Sequence, residues 1–287
     1  MLRHSEQVRA LSSSDLPVIT HLLGTSEYIY QRFTLQELKH ILRHYPAVGL
    51  FHGKALYSFL LSQTVNPPSA WVGGFGVNWS ESRSYTRFLD VQLEKLGEML
   101  AQRGVDSLYY SGNDQQNDWL RGCMLERGFA PFRQLYAYDK FDYTIPTQGN
   151  QEVSLRRATL GDIPALLALE ELCFEQIWRY DPASLADILL THPYFVVAEF
   201  HGQIVGYQFN AVDGDYGYLV RIGVHPAYNS RGIGARLMAA AIQFFKEAHS
   251  TRIMLNTQAE NTHAHRLYEW FGFVRIQQIG FVLRLEL

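Results

Sequence analysis

The stretch that decides the fold is Leu219-Val220-Arg221-Ile222-Gly223-Val224-His225-Pro226-Ala227-Tyr228-Asn229-Ser230-Arg231-Gly232-Ile233-Gly234-Ala235-Arg236-Leu237-Met238. An apolar strand ends at a proline turn. A short loop with Arg231 and two glycines then opens a helix whose apolar positions Ile233, Leu237, Ala241 and Phe244 are expected on one face. Such a turn suits anions, because glycine allows close backbone approach, first-turn N–H groups point outward, and the helix dipole favours negative charge. Two familiar phosphate loops fail on spacing. Gly234 is followed by Ala235-Arg236-Leu237 rather than Lys and Ser or Thr, which excludes the nucleotide-hydrolase loop. Leu237 stands where a dinucleotide fingerprint needs its third small residue, and Asn256 where it needs an acid.

Working outward, the chain repeats itself. Arg9-Ala10-Leu11-Ser12-Ser13-Ser14-Asp15-Leu16-Pro17 returns as Arg156-Arg157-Ala158-Thr159-Leu160-Gly161-Asp162-Ile163-Pro164, an offset of 147 from Asp15 to Asp162. Phe51-His52-Gly53 returns as Phe200-His201-Gly202, Gly76-Val77 as Gly223-Val224, and Asn117 with Gly128-Phe129 as Asn261 with Gly272-Phe273. Matches in the same order at nearly constant offset indicate two copies of one unit. Between them Thr144-Ile145-Pro146-Thr147-Gln148-Gly149-Asn150-Gln151-Glu152 has the composition of a surface connector. The second copy reads as a strand at 153–158, a helix capped near Asp162 and running to about 174, and a short helix from Pro182 to Leu190. Strands at 194–200, 203–212 and 217–225 follow, then a helix at 231–248, a strand at 252–257, a helix at 261–271 and closing strands within 273–285. The first copy predicts helices near 15–23, 34–44, 84–103 and 117–127. Strands leading and helices interleaving imply a mixed sheet.

The length of 287 residues allows two globular units, and 47% hydrophobic residues with 18% charged exclude a disordered or fibrous chain. A net charge of −3 offers no sequence-wide positive field, so neither a nucleic acid nor a membrane is expected as partner. Cys123 and Cys173 are too few for a disulfide framework. No stretch has the apolar length of a bilayer span, and Met1-Leu2-Arg3-His4-Ser5-Glu6-Gln7 lacks a signal-peptide core, so a soluble cytoplasmic protein is expected. His40 and His44 share a ligand-like spacing without a third ligand, and no metal is expected.

Val224-His225-Pro226 followed by Asn229-Ser230-Arg231-Gly232-Ile233-Gly234 resembles the acetyl-CoA loop of the GNAT superfamily of N-acetyltransferases, whose pattern is Arg or Gln-x-x-Gly-x-Gly or Ala; here an Asn opens it. Asn261-Thr262-His263-Ala264-His265-Arg266-Leu267-Tyr268 is similar to the superfamily's following helix, where an Asn meets the pantetheine arm and a Tyr seven residues on lies near the thioester sulfur. The resemblance implies an α/β (α+β) chain of two tandem GNAT-like domains, each a mixed central sheet flanked by helices: a degenerate copy at 1–143, a linker at 144–152 and a catalytic copy at 153–287. It implies acetyl-CoA as co-substrate, with Ile222, Gly223 and Val224 lining the pantetheine between two splayed parallel strands, Ser230, Arg231, Gly232, Ile233, Gly234 and Ala235 around the pyrophosphate, and Asn261 on the arm. In the first copy, Gly76-Val77-Asn78-Trp79-Ser80-Glu81-Ser82-Arg83-Ser84-Tyr85-Thr86 lacks loop glycines and Met124 takes the Tyr place, so no pyrophosphate is expected there.

Acyl transfer to an amine needs a neutral amine, a stabilised oxyanion and a proton for the departing thiolate. The Val224 N–H is the expected oxyanion donor and the Tyr268 hydroxyl the expected acid. Superfamily members with a carboxylate base carry it five residues before the Asn; here that residue is Asn256, which takes no proton. Glu260, His225, His265, Glu175 and a chain of waters are alternative relays, and each of these side chains suits a solvated or capping place better than a relay. The loop Phe174-Glu175-Gln176-Ile177-Trp178-Arg179-Tyr180-Asp181-Pro182 is expected to meet the acceptor, a small-molecule or peptide amine, although Trp178 and Tyr180 equally suit packing against the first domain. Asn256 keeps open a non-catalytic acyl-CoA-binding or regulatory module, and a longer acyl donor is a further alternative.

Overall fold

The computed structural model describes residues 6–80 and 85–287; the part of the first copy's loop at 81–84, with Glu81, lies outside the described residues. Along the chain the elements are β1 (Glu6–Ala10), α1 (Leu16–Thr25), β2 (Ile29–Gln31), α2 (Leu35–His44), β3 (Ala47–His52), β4 (Ala55–Asn66), β5 (Ser69–Val77), α3 (Tyr85–Ala101), β6 (Ser107–Gly112), α4 (Arg121–Glu126) and β7 (Ala130–Lys140). They continue with β8 (Ser154–Arg157), α5 (Ile163–Cys173), α6 (Pro182–Thr191), β9 (Tyr194–Phe200), β10 (Gln203–Asp213), β11 (Tyr216–Val224), α7 (Ile233–Glu247), β12 (Arg252–Gln258), α8 (Thr262–Trp270) and β13 (Val274–Glu286). The closing region is therefore one long strand rather than several, and α4 begins at Arg121 instead of 117, because Asp118 Oδ1 accepts the Leu120 and Arg121 N–H groups there.

Two compact units result. Among the described residues the first holds 6–80, 85–112, 117–132 and 282–287, and the second 113–116 and 133–281. The connector at 144–152 marks the sequence repeat, but the compact units divide along another line: most of β7, the last strand of the first copy, lies in the second unit. There it pairs antiparallel with β12, from Ile253↔Lys140 to Gln258↔Leu135. Within the first unit β1, β3, β4, β5 and β6 lie side by side, antiparallel except for the β5–β6 pair. Within the second the order is β7, β12, β11, β10, β9, β8, antiparallel except for β11–β12.

The repeat extends to side-chain detail. Arg9 pairs with Asp15 at 2.6 Å and Arg156 with Asp162 at 2.8 Å. Both aspartates also accept the N–H of the residue three before, Ser12 and Thr159, as capping boxes that start α1 and α5. The hairpin glycines Gly53 and Gly202 both have positive φ, 58° and 76°. In α7 the buried face carries Ile233, Leu237, Ala241 and Phe245. Phe244, expected on that face, is only half-buried and stacks on Tyr194 at 4.6 Å, since a helix turn of 3.6 residues brings Phe245 back onto the sheet.

Candidate functional site

β11 and β12 pair over only Tyr216↔Arg252 to Tyr218↔Met254, after which β12 follows β7 and β11 follows β10. The strands part at a bulge: Phe209 faces Arg221 and Asn210 faces Leu219, so Val220 is the extra residue and β11 bends away. Past the bulge, His225 N–H donates to Val205 O at 2.8 Å. Antiparallel strands alternate, so Val224 turns its own N–H and carbonyl away from β10 and into the opening. Its carbonyl accepts the Cys173 thiol at 3.2 Å, and burial pushes that thiol up to about 11, which keeps it a donor. The opening is a cavity of about 660 Å³.

At one end of the cavity the glycine loop enters α7. Ser230 (φ 61°) and Gly232 (φ 74°) are left-handed, and Gly232 is the N-cap. The loop's carbonyls are held from behind: Gly232 O accepts Arg236 N–H at 3.0 Å and Asn150 N–H at 3.1 Å, and Arg231 O accepts Asn150 Nδ2 at 3.0 Å. A Cβ on Gly149 would lie 2.2 Å from Arg236 N, so only glycine fits against that first turn. The expected surface connector is thus a buttress. With the carbonyls engaged, the N–H groups of Ser230 to Ala235 have no partner among the described residues. Of the loop residues expected at this site, Ser230, Gly232, Ile233, Gly234 and Ala235 line the cavity with Ile222, Gly223, Val224 and Asn261; Arg231 does not, its guanidinium lying 5.3 Å from the Tyr228 ring centre. Asn150 carried no signal in the sequence beyond turn chemistry.

Across the cavity Asn261 caps α8, its Oδ1 accepting Ala264 N–H at 3.2 Å while its Nδ2 donates to Thr257 Oγ1 at 3.1 Å. Tyr268 lines the cavity with its ring buried against Tyr138 and Phe273, and its hydroxyl has no hydrogen-bond partner among the described residues. Burial raises that phenol well above its ordinary range, which keeps it protonated. Of the suggested proton relays none lines the cavity. His265 Nε2 donates to Ala259 O at 3.0 Å, which leaves Nδ1 to accept the Tyr138 hydroxyl at 2.8 Å. His225 Nδ1 accepts Ala227 N–H, Glu175 sits 3.4 Å from Arg133, and Glu260 is exposed. Asn256 does line the cavity, and no carboxylate does among the described residues.

Another part of the cavity wall includes Cys173, Phe174, Trp178 and Arg221. The Arg221 guanidinium lies between the rings of Phe174 (4.2 Å) and Tyr180 (4.3 Å), donates to both Glu170 oxygens at 3.0 and 3.1 Å, and donates to Trp178 O at 2.7 Å. Glu170, only 1% exposed, also accepts the Tyr180 N–H and the Tyr207 hydroxyl. Trp178 is thus a wall residue, and Tyr180 packs on Phe209. Glu170 escaped the sequence reading; its one signal is a carboxylate on the face shared with Leu166 and Leu169. His40 and His44 stack at 4.5 Å, and among the described residues no group of three or more metal-ligating side chains comes together. No helix among them is long and apolar enough to cross a membrane.

A mixed sheet whose two parallel strands part beside a glycine-opened helix, with free main-chain N–H groups at one end and a buried phenol at the other, defines an acyl-transfer class of protein. Residues 163–273 match the acetyltransferase (GNAT) family profile. The chain is 30% identical over 135 residues to N-alpha-acetyltransferase RimI of Mycobacterium tuberculosis, an alignment covering 45% of this chain and 84% of that protein. It is 27% identical over 178 residues to mycothiol acetyltransferase of Clavibacter sepedonicus, covering 62% of this chain and 45% of that protein, less than half its length. The fold is shared with a tandem GNAT protein from the clavulanic acid biosynthesis pathway (TM-score 0.70, 13% identity, 98% of each chain) and with a GCN5-related N-acetyltransferase from Sphaerobacter thermophilus (TM-score 0.63, 17% identity, 100% of this chain and 97% of that one). The chain belongs to the GNAT acetyltransferase family, and it is an N-acetyltransferase.

Proposed function

We propose that residues 153–287 form the catalytic copy and residues 1–143 a degenerate one, and that the catalytic copy moves the acetyl group of acetyl-CoA directly to the amine of a small molecule or peptide in a ternary complex. The single observation that carries this reading is the row of unpartnered N–H groups from Ser230 to Ala235, held outward by Asn150 and the φ of Gly232. These groups take the pyrophosphate, and Arg231 adds charge from the loop's outer side. Asn261 meets the pantetheine arm, alongside Ile222 and Gly223. The thioester supplies an activated carbonyl and a good leaving group. Val224 N–H, directed into the cavity, stabilises the oxyanion. Tyr268, kept protonated by burial, gives its proton to the departing sulfur.

The acceptor is an amine that arrives largely neutral. Asn256 replaces a base and no carboxylate lines the wall among the described residues, so no carboxylate there strips a strongly basic ammonium. At pH 7.5 an α-amine with pKa about 7.7–8.0 is roughly a third neutral, whereas a lysine-type amine at about 10.4 is neutral to about one part in a thousand. Free-thiol release from acetyl-CoA is measured across an amine panel at several pH values. Turnover with α-amines, rising with pH through their pKa, is the expected outcome. Binding of acetyl-CoA with no release against any amine would favour the non-catalytic reading.

A further inference from the structure

The two copies hold the same loop in two states. In the second copy the loop after α5, residues 174–181, stands beside the cavity and leaves the β11 edge open. In the first copy the loop after α1, residues 26–34, contains β2, which pairs antiparallel with β5: Ile29↔Gly76, Tyr30↔Phe75, Gln31↔Gly74. β5 pairs with β6 only over Ser69–Trp71, so β2 continues along the same edge, in the place where the second copy has its cavity. The counterparts are close. Val77, the repeat equivalent of Val224, gives its N–H to Tyr28 O at 3.2 Å, and its carbonyl accepts the Ser26 hydroxyl as Val224 O accepts the Cys173 thiol. The first copy has filled its own crevice and used up its own oxyanion donor.

One position distinguishes the two states. At the offset of 147 that relates Asp15 to Asp162, Gly74 corresponds to Arg221. A Cβ on Gly74 would lie 2.7 Å from the Phe33 ring and 3.3 Å from Tyr30 O of β2, so a side chain there would crowd both the docked strand and the residue that follows it. In the second copy the Arg221 side chain stands at that position between the Phe174 and Tyr180 rings and ties the loop through Trp178 O and, with Glu170, through Tyr180 N–H. We infer that Arg221 is a positioning residue that keeps the acyl crevice open, and that the first copy binds no acyl-CoA because its Gly74 lets the same loop close as a strand. This rests on the reading of the second copy's cavity as the acetyl-CoA site.

Calorimetry with acetyl-CoA and hydrogen exchange of the apo chain test it together. The wild type should bind one acetyl-CoA per chain. Two per chain would overturn the inference; none would overturn the site reading and leave the exchange result to judge the loop. Arg221→Gly should weaken acetyl-CoA binding by about tenfold or more, and Arg221→Lys, which keeps bulk and charge on that face, should restore most of it. In apo Arg221→Gly, amides of 219–225 should exchange more slowly than in wild type, as the loop pairs with them. Mere structural damage would speed their exchange. If Arg221→Gly does not fold, Glu170→Gln, which loosens the same tie, should shift both readouts in the same direction. Wild-type affinity with unchanged or faster exchange, in the folded variant, overturns the inference.

Discussion

Tyr268→Phe isolates one hydroxyl from everything else the residue does. The ring's contacts with Tyr138 (5.8 Å between centres) and Phe273 (6.2 Å) survive the change, and the lost hydroxyl has no protein partner among the described residues. Removing a buried polar group without breaking a hydrogen bond should alter folding stability by less than about 1 kcal/mol, and the sign can be favourable. Turnover is different. A positioned general acid contributes about 10²- to 10⁴-fold. A thiol leaving group with pKa near 8.5 departs readily unaided, so the lower end, about a hundredfold or 2.7 kcal/mol, is expected. The assay is thiol release at saturating acetyl-CoA and α-amine, with the CoA Kd measured separately and expected within about twofold of wild type. The pH profile carries a second check. Because burial raises the phenol above its ordinary value of about 10, the proton is present at all lower pH, and wild-type activity should show no alkaline fall caused by Tyr268 below about pH 10. Unchanged turnover in the variant would refute Tyr268 as the acid, and an alkaline limb near pH 8–9 that disappears in it would refute the raised phenol instead.

The glycine loop and its buttress should separate by substitution. Gly232→Ala places a Cβ in the left-handed region and 3.2 Å from Asn150 N, so it should cost about 1–2 kcal/mol of stability and weaken acetyl-CoA binding, read by thermal melting and calorimetry. Asn150→Ala, which removes the bond to Arg231 O and the one from Glu152 N–H while keeping the main-chain bond to Gly232 O, should raise the acetyl-CoA Kd severalfold, and an unchanged Kd would show that the Asn150 side chain does not support the loop. Asp162 is held well below the usual carboxylate range, first by Arg156 and then by the Thr159 N–H, so its folded pKa lies under its unfolded one. That contribution is present above about pH 4 and is lost as pH falls through the folded value. Asp162→Asn should therefore lower the melting temperature at neutral pH, by an amount consistent with about 1 kcal/mol for a lost cap, and the gap should narrow on acidification. Parallel melting curves down to pH 2 would contradict the assignment.

What was legible in the sequence is what local chemistry dictates. The Arg-to-Asp turn at each copy's start, the His-Gly hairpins and the glycine-opened helix each follow from a few adjacent residues, so their positions in the two copies could be compared directly. The parting of β11 and β12 came from resemblance, and the cause is visible only in the register, where Val220 has no partner. Non-local features stayed hidden. Nothing about Arg133 to Lys140 shows that this strand joins the second unit, because β pairing depends on the partner edge as much as on the strand itself. Gly149-Asn150 reads as any polar turn until its neighbours at Gly232 and Arg236 are known. Ile29-Tyr30-Gln31 is too short for any alternation to mark it as a strand, yet it decides the fate of the first copy. Glycine loss in the loop at 78–86 would explain a weaker hold on phosphate, but it leaves a crevice. A strand across Gly74 to Gly76 occupies that edge and engages the Val77 N–H, the counterpart of the oxyanion donor proposed at Val224. Restoring loop glycines to the first copy would therefore not restore binding while Val77 N–H remains committed to Tyr28 O. Divergence of the copies thus has a physical order: an unoccupied main-chain edge in a sheet is a standing invitation to pair, and only the copy that keeps a bulky, tethered side chain beside that edge keeps it free for a ligand.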